Sequence, residues 1–310
     1  MKGLHQGCKK RYVTMKTKIL ETAEAKKVVE EIKKVLPDED VSVTEVLKIN
    51  NTKRTGICIN GMNLYVEQLP PVDFPHYEGF IESIKSAYMQ NKDNLKKAEN
   101  FKESIKEINV VSAQIISTAD NEEFLKNVPH RNMEVGLSII YRDILEDASY
   151  VITNDIMKHH NLDEELLYEM AKKSAIEDFA FVNMSELNLP FLMSESEMSE
   201  KGITEEELKE TEKNLVIISN SSRYFGAAEI AFEENYRRIQ TLIGSDKFMI
   251  LPSSTHEVLV SAYNDINDLN VKEANRTINE INNNSGLISP EDVLFNELLV
   301  FDGEKIKKAS

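Results

Sequence analysis

The residues best equipped for chemistry lie together at Leu251-Pro252-Ser253-Ser254-Thr255-His256-Glu257-Val258-Leu259. Hydroxyls, an imidazole and a carboxylate follow a short apolar run, and these are the groups that nucleophile-and-base catalysis uses. One reading is therefore a hydrolase centred on Ser253 or Ser254 with His256 as its base. Glu257, or residues near 220–226, would complete it. Strand geometry limits that reading: if residues 255–260 are extended, His256 shares a face with Val258 and Val260 while Glu257 points to the other. The plainer expectation is a turn whose hydroxyls bond nearby backbone, followed by a strand that opens with a satisfied histidine.

A second segment, Asn220-Ser221-Ser222-Arg223-Tyr224-Phe225-Gly226-Ala227-Ala228, has the form of a strand-to-helix turn. Helix N-termini in such turns bind anions through free N–H groups, which makes Asn220, Arg223 and Gly226 candidate binding residues. Packing of the small residues against a sheet is the competing reading. His159-His160 diverge by about 100° on a helix and make a poor metal pair. His130-Arg131 follow Pro129 at an expected helix end, where a cation serves the exposed carbonyls. His76 has no partner types nearby.

The motifs of the common nucleotide, metal and esterase sites, G-x-G-x-x-G, G-x-x-x-x-G-K-[ST], H-E-x-x-H and G-x-S-x-G, do not occur in the sequence. Cys8 and Cys58 are far apart and show no C-x-x-C spacing, so neither a disulfide framework nor a zinc cluster is expected. No metal and no cofactor are expected.

Charge narrows the partners. The net charge is −16, yet residues 1–18 hold Lys2, Lys9, Lys10, Arg11, Lys16 and Lys18 and no acid. The remainder has 31 basic against 53 acidic residues, a balance of −22. Such a body repels phosphate backbones, so direct nucleic-acid binding is disfavoured, while a basic protein partner is suited to it. The densest acidic run, residues 194–212, contains Glu205, Glu206 and Glu207, which are candidate binding residues. Thr204 and Glu207 have the spacing of a capping box, so a solvated helix is expected there.

These segments must be positioned by the elements around them. Residues 1–15 read as a basic, disordered extension, with Met15 a natural alternative start. Residues 16–109 read as a helix from Ile19 to Leu36, a hairpin of Val41–Ile49 with Ile57–Val66, and a helix over 76–109. Residues 110–310 read as a second lobe. Strands are expected at 110–116, 135–141, 150–153, 215–219, 248–251 and 293–301, with an apolar run at 258–260. Helices are expected at 121–128, 163–177, capped by Asp163, and at 226–243 and 267–281. Helices and strands interleave, and adjacent strand pairs argue against a purely parallel sheet. The expected class is α+β, a mixed β-sheet with interleaved helices in a one- or two-lobed arrangement. No signal peptide and no apolar run near the ~20 residues of a membrane span is present, so no membrane partner and a cytoplasmic location are expected.

Four segments resemble a known family: Val46-Leu47-Lys48-Ile49-Asn50-Asn51, Val128-Pro129-His130-Arg131, Gly226-Ala227-Ala228, and Leu251-Pro252-Ser253-Ser254-Thr255-His256-Glu257. On these the chain resembles the domain of unknown function family 5688 of Clostridia-like bacteria, over residues 15–302. The family pattern places an acidic residue just before the strand ending at Tyr141, where this chain has Gly136, with Glu134 two places earlier. The resemblance implies a shared fold and a bacterial, mobile-element origin, and it carries no catalytic role. The leading functional expectation is an acidic binding or regulatory protein acting by protein–protein contact. Its sharper form is an inhibitor of a nucleic-acid-binding or defence enzyme, and its alternative is the Ser/His hydrolase.

Overall fold

The computed structural model describes residues 17–104, 108, 110–144, 149–186, 204, 214–284 and 287–309. The chain forms two compact units, residues 1–108 and 109–310. The class is α+β. The described strands form three sheets, and every pairing among them is antiparallel.

In the first unit four strands run in the order β1 (Thr17–Ile19), β2 (Val41–Leu47), β3 (Lys53–Ile59) and β4 (Met62–Val66). Helix α1 (Ala23–Val35) opens on Thr22, whose hydroxyl accepts from the Ala25 N–H at 3.2 Å. Its Ala25, Val28 and Ile32 pack with Val41, Val43, Ile57 and Ile59 of the sheet and with Ile81, Ile84 and Tyr88 of α2 (Tyr77–Ser104). The apolar run 57–66, expected as one arm of a hairpin, is two strands. Asn60 and Gly61, at φ 49° and 87°, make the two-residue turn between them.

In the second unit, β5 (Val111–Ser117), β7 (Leu137–Ile144) and β6 (His130–Asn132) form one sheet, with β8 (Ser149–Val151) also paired to β7. Between β5 and β6 lies α3 (Glu122–Leu125), shorter than the expected helix over 121–128. After β8 come α4 (Asn154–His159) and α5 (Glu164–Asp178), the latter packed on β5. The Asp163 carboxylate accepts from the Leu166 N–H at 2.8 Å and caps α5. The larger sheet contains β9 (Phe179–Asn183), β10 (Val216–Asn220), β11 (Phe248–Pro252), β12 (Val258–Ala262), β13 (Leu299–Phe301) and β14 (Ile306–Lys308). Its order is β14-β13-β11-β12-β10-β9.

The expected helix over 226–243 is broken. Residues 226–231 and 233–235 are 3₁₀ turns separated by extended Phe232, and only α6 (Tyr236–Ile243) is α-helical. Gly226 is the cause at the front end. A Cβ there would collide with Ser219 Oγ and the Asn220 backbone N, and would stand 2.7 Å from Ser219 Cα. The segment is pressed onto β10 too closely for a regular helix to start there. The expected helix over 267–281 is α7 (Val271–Asn282), which starts where the Asn270 side chain accepts from the Glu273 N–H at 3.2 Å. The expected strand 293–301 pairs only over 299–301, and the chain then turns through Gly303, at φ 101°, into β14.

Candidate functional site

Two of the chemically rich segments meet at the end of β10. The Asn220 side chain organises the first. Its Oδ1 accepts from the Tyr224 N–H at 3.2 Å and from Ser222 Oγ at 3.0 Å, and its Nδ2 donates to the Tyr224 carbonyl at 2.8 Å. The residue at the tip is thereby held by both its backbone groups. Arg223 and Phe225, on either side of Tyr224, adopt φ 57° and 60°. Non-glycine residues in this left-handed region are strained and persist only where their surroundings hold them.

The second segment supplies the hold. Residues 253–257 form a turn rather than an extended run: the Ser254 N–H donates to the Glu257 carbonyl at 3.2 Å, and β12 begins at Val258. Ser254 Oγ accepts from the His256 N–H at 3.1 Å, and Ser219 Oγ donates to the His256 carbonyl at 2.8 Å. The imidazole, 28% exposed, is bound at both nitrogens. Nδ1 accepts from the Phe225 N–H at 3.2 Å, and Nε2 stands 3.3 Å from Asp292 Oδ1. Since a ring nitrogen that accepts has no proton, the network assigns the hydrogen to Nε2, which donates to the carboxylate. The Thr255 N–H donates to the Asp292 carbonyl at 2.8 Å, fixing the loop that carries this acid.

Aromatic contacts complete the cluster. The Tyr224 ring meets His256 edge-on at 5.6 Å, and the Phe225 ring lies 5.4 Å from it at a tilt of 37°. The Arg142 guanidinium sits 4.2 Å from the Phe225 centroid and donates to Gln114 Oε1, Ser149 Oγ and the Ser149 carbonyl. Burial pushes this guanidinium down to about 10, and its hydrogen-bond partners among the described residues are neutral.

Beneath the turn lies an acid that no sequence motif marks. Glu229 is 2% exposed, and its carboxyl is pushed up to about 9, chiefly by burial and then by nearby Asp178. Asn235 Nδ2 donates to Glu229 Oε2 at 2.7 Å. Asp178 accepts from the Ser221 hydroxyl, and its carbonyl accepts from the Ser221 N–H at 3.2 Å. The start of the turn is thus tied to the end of α5.

The sequence candidates separate cleanly. Asn220, Arg223, Gly226, Ser254 and His256 belong to one cluster. Neither Ser253 nor Ser254 is bonded to the His256 ring, whose two nitrogens face a backbone amide and Asp292, so this arrangement gives the serines no base. The anion-site geometry expected at Gly226 is also not formed. The Phe225 N–H is taken by His256, and those of Ala227 and Ala228 go to the Thr255 and Phe225 carbonyls. Glu205, Glu206 and Glu207, the last being the acid of the expected capping box, lie outside the described residues.

His130 and Arg131 are not at a helix end: they form β6. Arg131 donates to Glu164 Oε1 at 3.1 Å and Oε2 at 2.8 Å, and to Glu165 Oε2 at 2.6 Å, while its guanidinium lies 3.7 Å from the Tyr168 ring centroid. The Tyr141 hydroxyl also donates to Glu164, and burial together with that carboxylate raises the phenol above its ordinary range. The His159 and His160 rings meet edge-on at 5.2 Å. Among the described residues no group of three or more His, Cys, Asp or Glu side chains could hold a metal ion. Two open depressions, of about 590 and 200 Å³, lie on α7 around Arg276 and Asn279 and on α5 around Lys172 and Ile176. Neither includes a residue of the His256 cluster. Among the described residues no helix is long and apolar enough to cross a membrane.

Fold and cluster together define an α+β protein whose distinguishing feature is a strained aromatic turn pinned by a histidine. The family model described as Family of unknown function (DUF5688) matches residues 25–303, and the chain belongs to that family. No curated protein and no solved structure matches it.

Sequence reasoning missed Asp292, Glu229 and Arg142. Asp292 lies 36 positions beyond His256, a separation at which no motif links a residue pair. Glu229 offered one weak signal, an acid placed between the apolar Gly226-Ala227-Ala228 and Ile230-Ala231.

Proposed function

We propose that this protein acts by binding another protein, through a surface that includes the Asn220–Gly226 turn. The observation that supports this reading most is Tyr224: a large aromatic side chain, 66% exposed, held in place by two backbone hydrogen bonds to Asn220 and flanked by two left-handed residues. Aromatic anchors on rigid supports lose little entropy on binding and are enriched among the residues that dominate interface energies. A binding role also accords with the engaged nitrogens of His256.

The net charge of −16 favours a basic partner. In its sharper form the partner is a nucleic-acid-binding or defence enzyme whose phosphate-binding groove meets the acidic surface. Affinity for such a partner falls steeply with added salt.

The test compares capture by the wild-type chain and by Tyr224→Ala from a lysate of a bacterium carrying this family. A partner held by the wild type and lost with the variant, with circular dichroism unchanged, is the expected result. A partner set indifferent to Tyr224→Ala, or turnover of a small substrate without any partner, contradicts the proposal.

A further inference from the structure

We propose that His256 is a proton-operated latch on the Asn220–Gly226 turn: the neutral imidazole holds the turn, and proton uptake at Nδ1 releases it. The argument begins with the lone pair on Nδ1, which accepts the Phe225 N–H at 3.2 Å. Because Nε2 already carries the ring hydrogen toward Asp292, Nδ1 is the one place where the ring can take a second proton. An imidazolium has two donors and no acceptor, so charging the ring sets N–H against N–H and the bond to Phe225 must break.

The residue released is the one that needs holding. Phe225 is left-handed at φ 60°, as is Arg223 at φ 57°, and the bond to His256 anchors the Phe225 amide. The Phe225 ring also contacts both the imidazole and the Arg142 guanidinium. The bonds from Asn220 to Tyr224 involve no titrating group, so release is a local repacking of Phe225 and Tyr224 rather than unfolding.

Of the charged groups around the ring, Asp292 stands against Nε2 and Glu257 is its neighbour in the chain. Arg142 lies against the Phe225 ring, and Arg223 sits in the turn. Ser219 and Ser254 bond only the His256 backbone and are indifferent to the proton. The consequence for partner contact rests on the binding function proposed above, whereas the latch is a property of the isolated protein.

The chain has no tryptophan, so Tyr224→Trp places a single fluorophore on the turn. Between about pH 8 and about pH 5, its emission should shift reversibly, and the protection factor of the Phe225 amide in the wild type should fall at least roughly tenfold. His256→Asn keeps an acceptor near the Nδ1 position and cannot take up a proton, so both responses should vanish in that background. If His256→Asn fails to fold by circular dichroism, Asp292→Asn serves instead and should move the transition to lower pH. A flat wild-type response, a response that persists in His256→Asn, or a midpoint unmoved by Asp292→Asn overturns the latch. The experiment needs no partner, so a partner indifferent to Tyr224 would sink the binding function alone.

Discussion

Two polar clusters in the second unit share a composition of arginine, acid and aromatic rings and differ in how their charges are met. Around Arg131 every charge has a counter-charge: the guanidinium meets Glu164 with two bonds and Glu165 with a third, and Tyr141 donates to the same carboxylate. Around the Asn220–Gly226 turn the partners of Arg142 among the described residues are neutral, burial pushes the Glu229 carboxyl up to about 9, and two non-glycine residues are left-handed. A satisfied cluster is what a fold needs to join a strand to a helix. Strain and uncompensated charge persist only where the surroundings enforce them, and they concentrate at sites that bind or switch. That contrast marks the turn as the candidate site and the Arg131 cluster as structural support.

The contrast can be broken by substitution, with the largest loss of stability at Gly226. Gly226→Ala forces a Cβ into Ser219 and the Asn220 backbone and should cost about 3 kcal/mol, as overpacking against a rigid strand does. Chemical denaturation reads that loss, and a cost near zero would show that the segment is not pressed onto β10. Glu229→Gln should act in the opposite direction. Its carboxyl titrates at 4.5 when exposed and at about 9 in the fold, so the folded state binds the extra proton and stability falls as pH rises between those values. The glutamine removes this dependence. It should therefore be the more stable form by up to about 5 kcal/mol at about pH 8, with the gap closing toward the exposed value, and thermal unfolding across pH reads the gap.

Arg131→Met leaves Glu164 without its bidentate partner at a half-buried position and should cost about 1.5 kcal/mol with no effect on partner capture. Loss of capture in a folded Arg131→Met would erase the distinction between the clusters. Tyr224→Ala should show the reverse, a stability change of only about 0.5 kcal/mol with capture abolished.

The sequence revealed elements where local pattern and tertiary demand agree. β5 and β7 read as apolar β-branched runs, β10 and β11 as short apolar strands, and α5 as an amphipathic stretch behind an Asp163 cap. It concealed elements defined by their partners. β6 is three polar residues that pair because β7 lies beside them, and β9 follows α5 with no turn signal between them. The helical pattern over 226–243 was real over Tyr236–Ile243 and was overridden at Gly226 by contact with β10. At the site, the two segments that meet were visible as unusual runs. Their meeting was not, because the His256 ring is closed by an amide 31 positions earlier and a carboxylate 36 positions later. Long-range closure of this kind leaves no periodicity to read.

The most direct test of the central claim is site-specific photo-crosslinking in cells of the native host type, with a benzophenone amino acid at position 224 and, as control, at exposed Leu166 on α5. A discrete protein adduct at 224 that does not form at 166 is the predicted result. Equal adducts at both positions, or none at 224 while the protein is folded and expressed, would contradict the account.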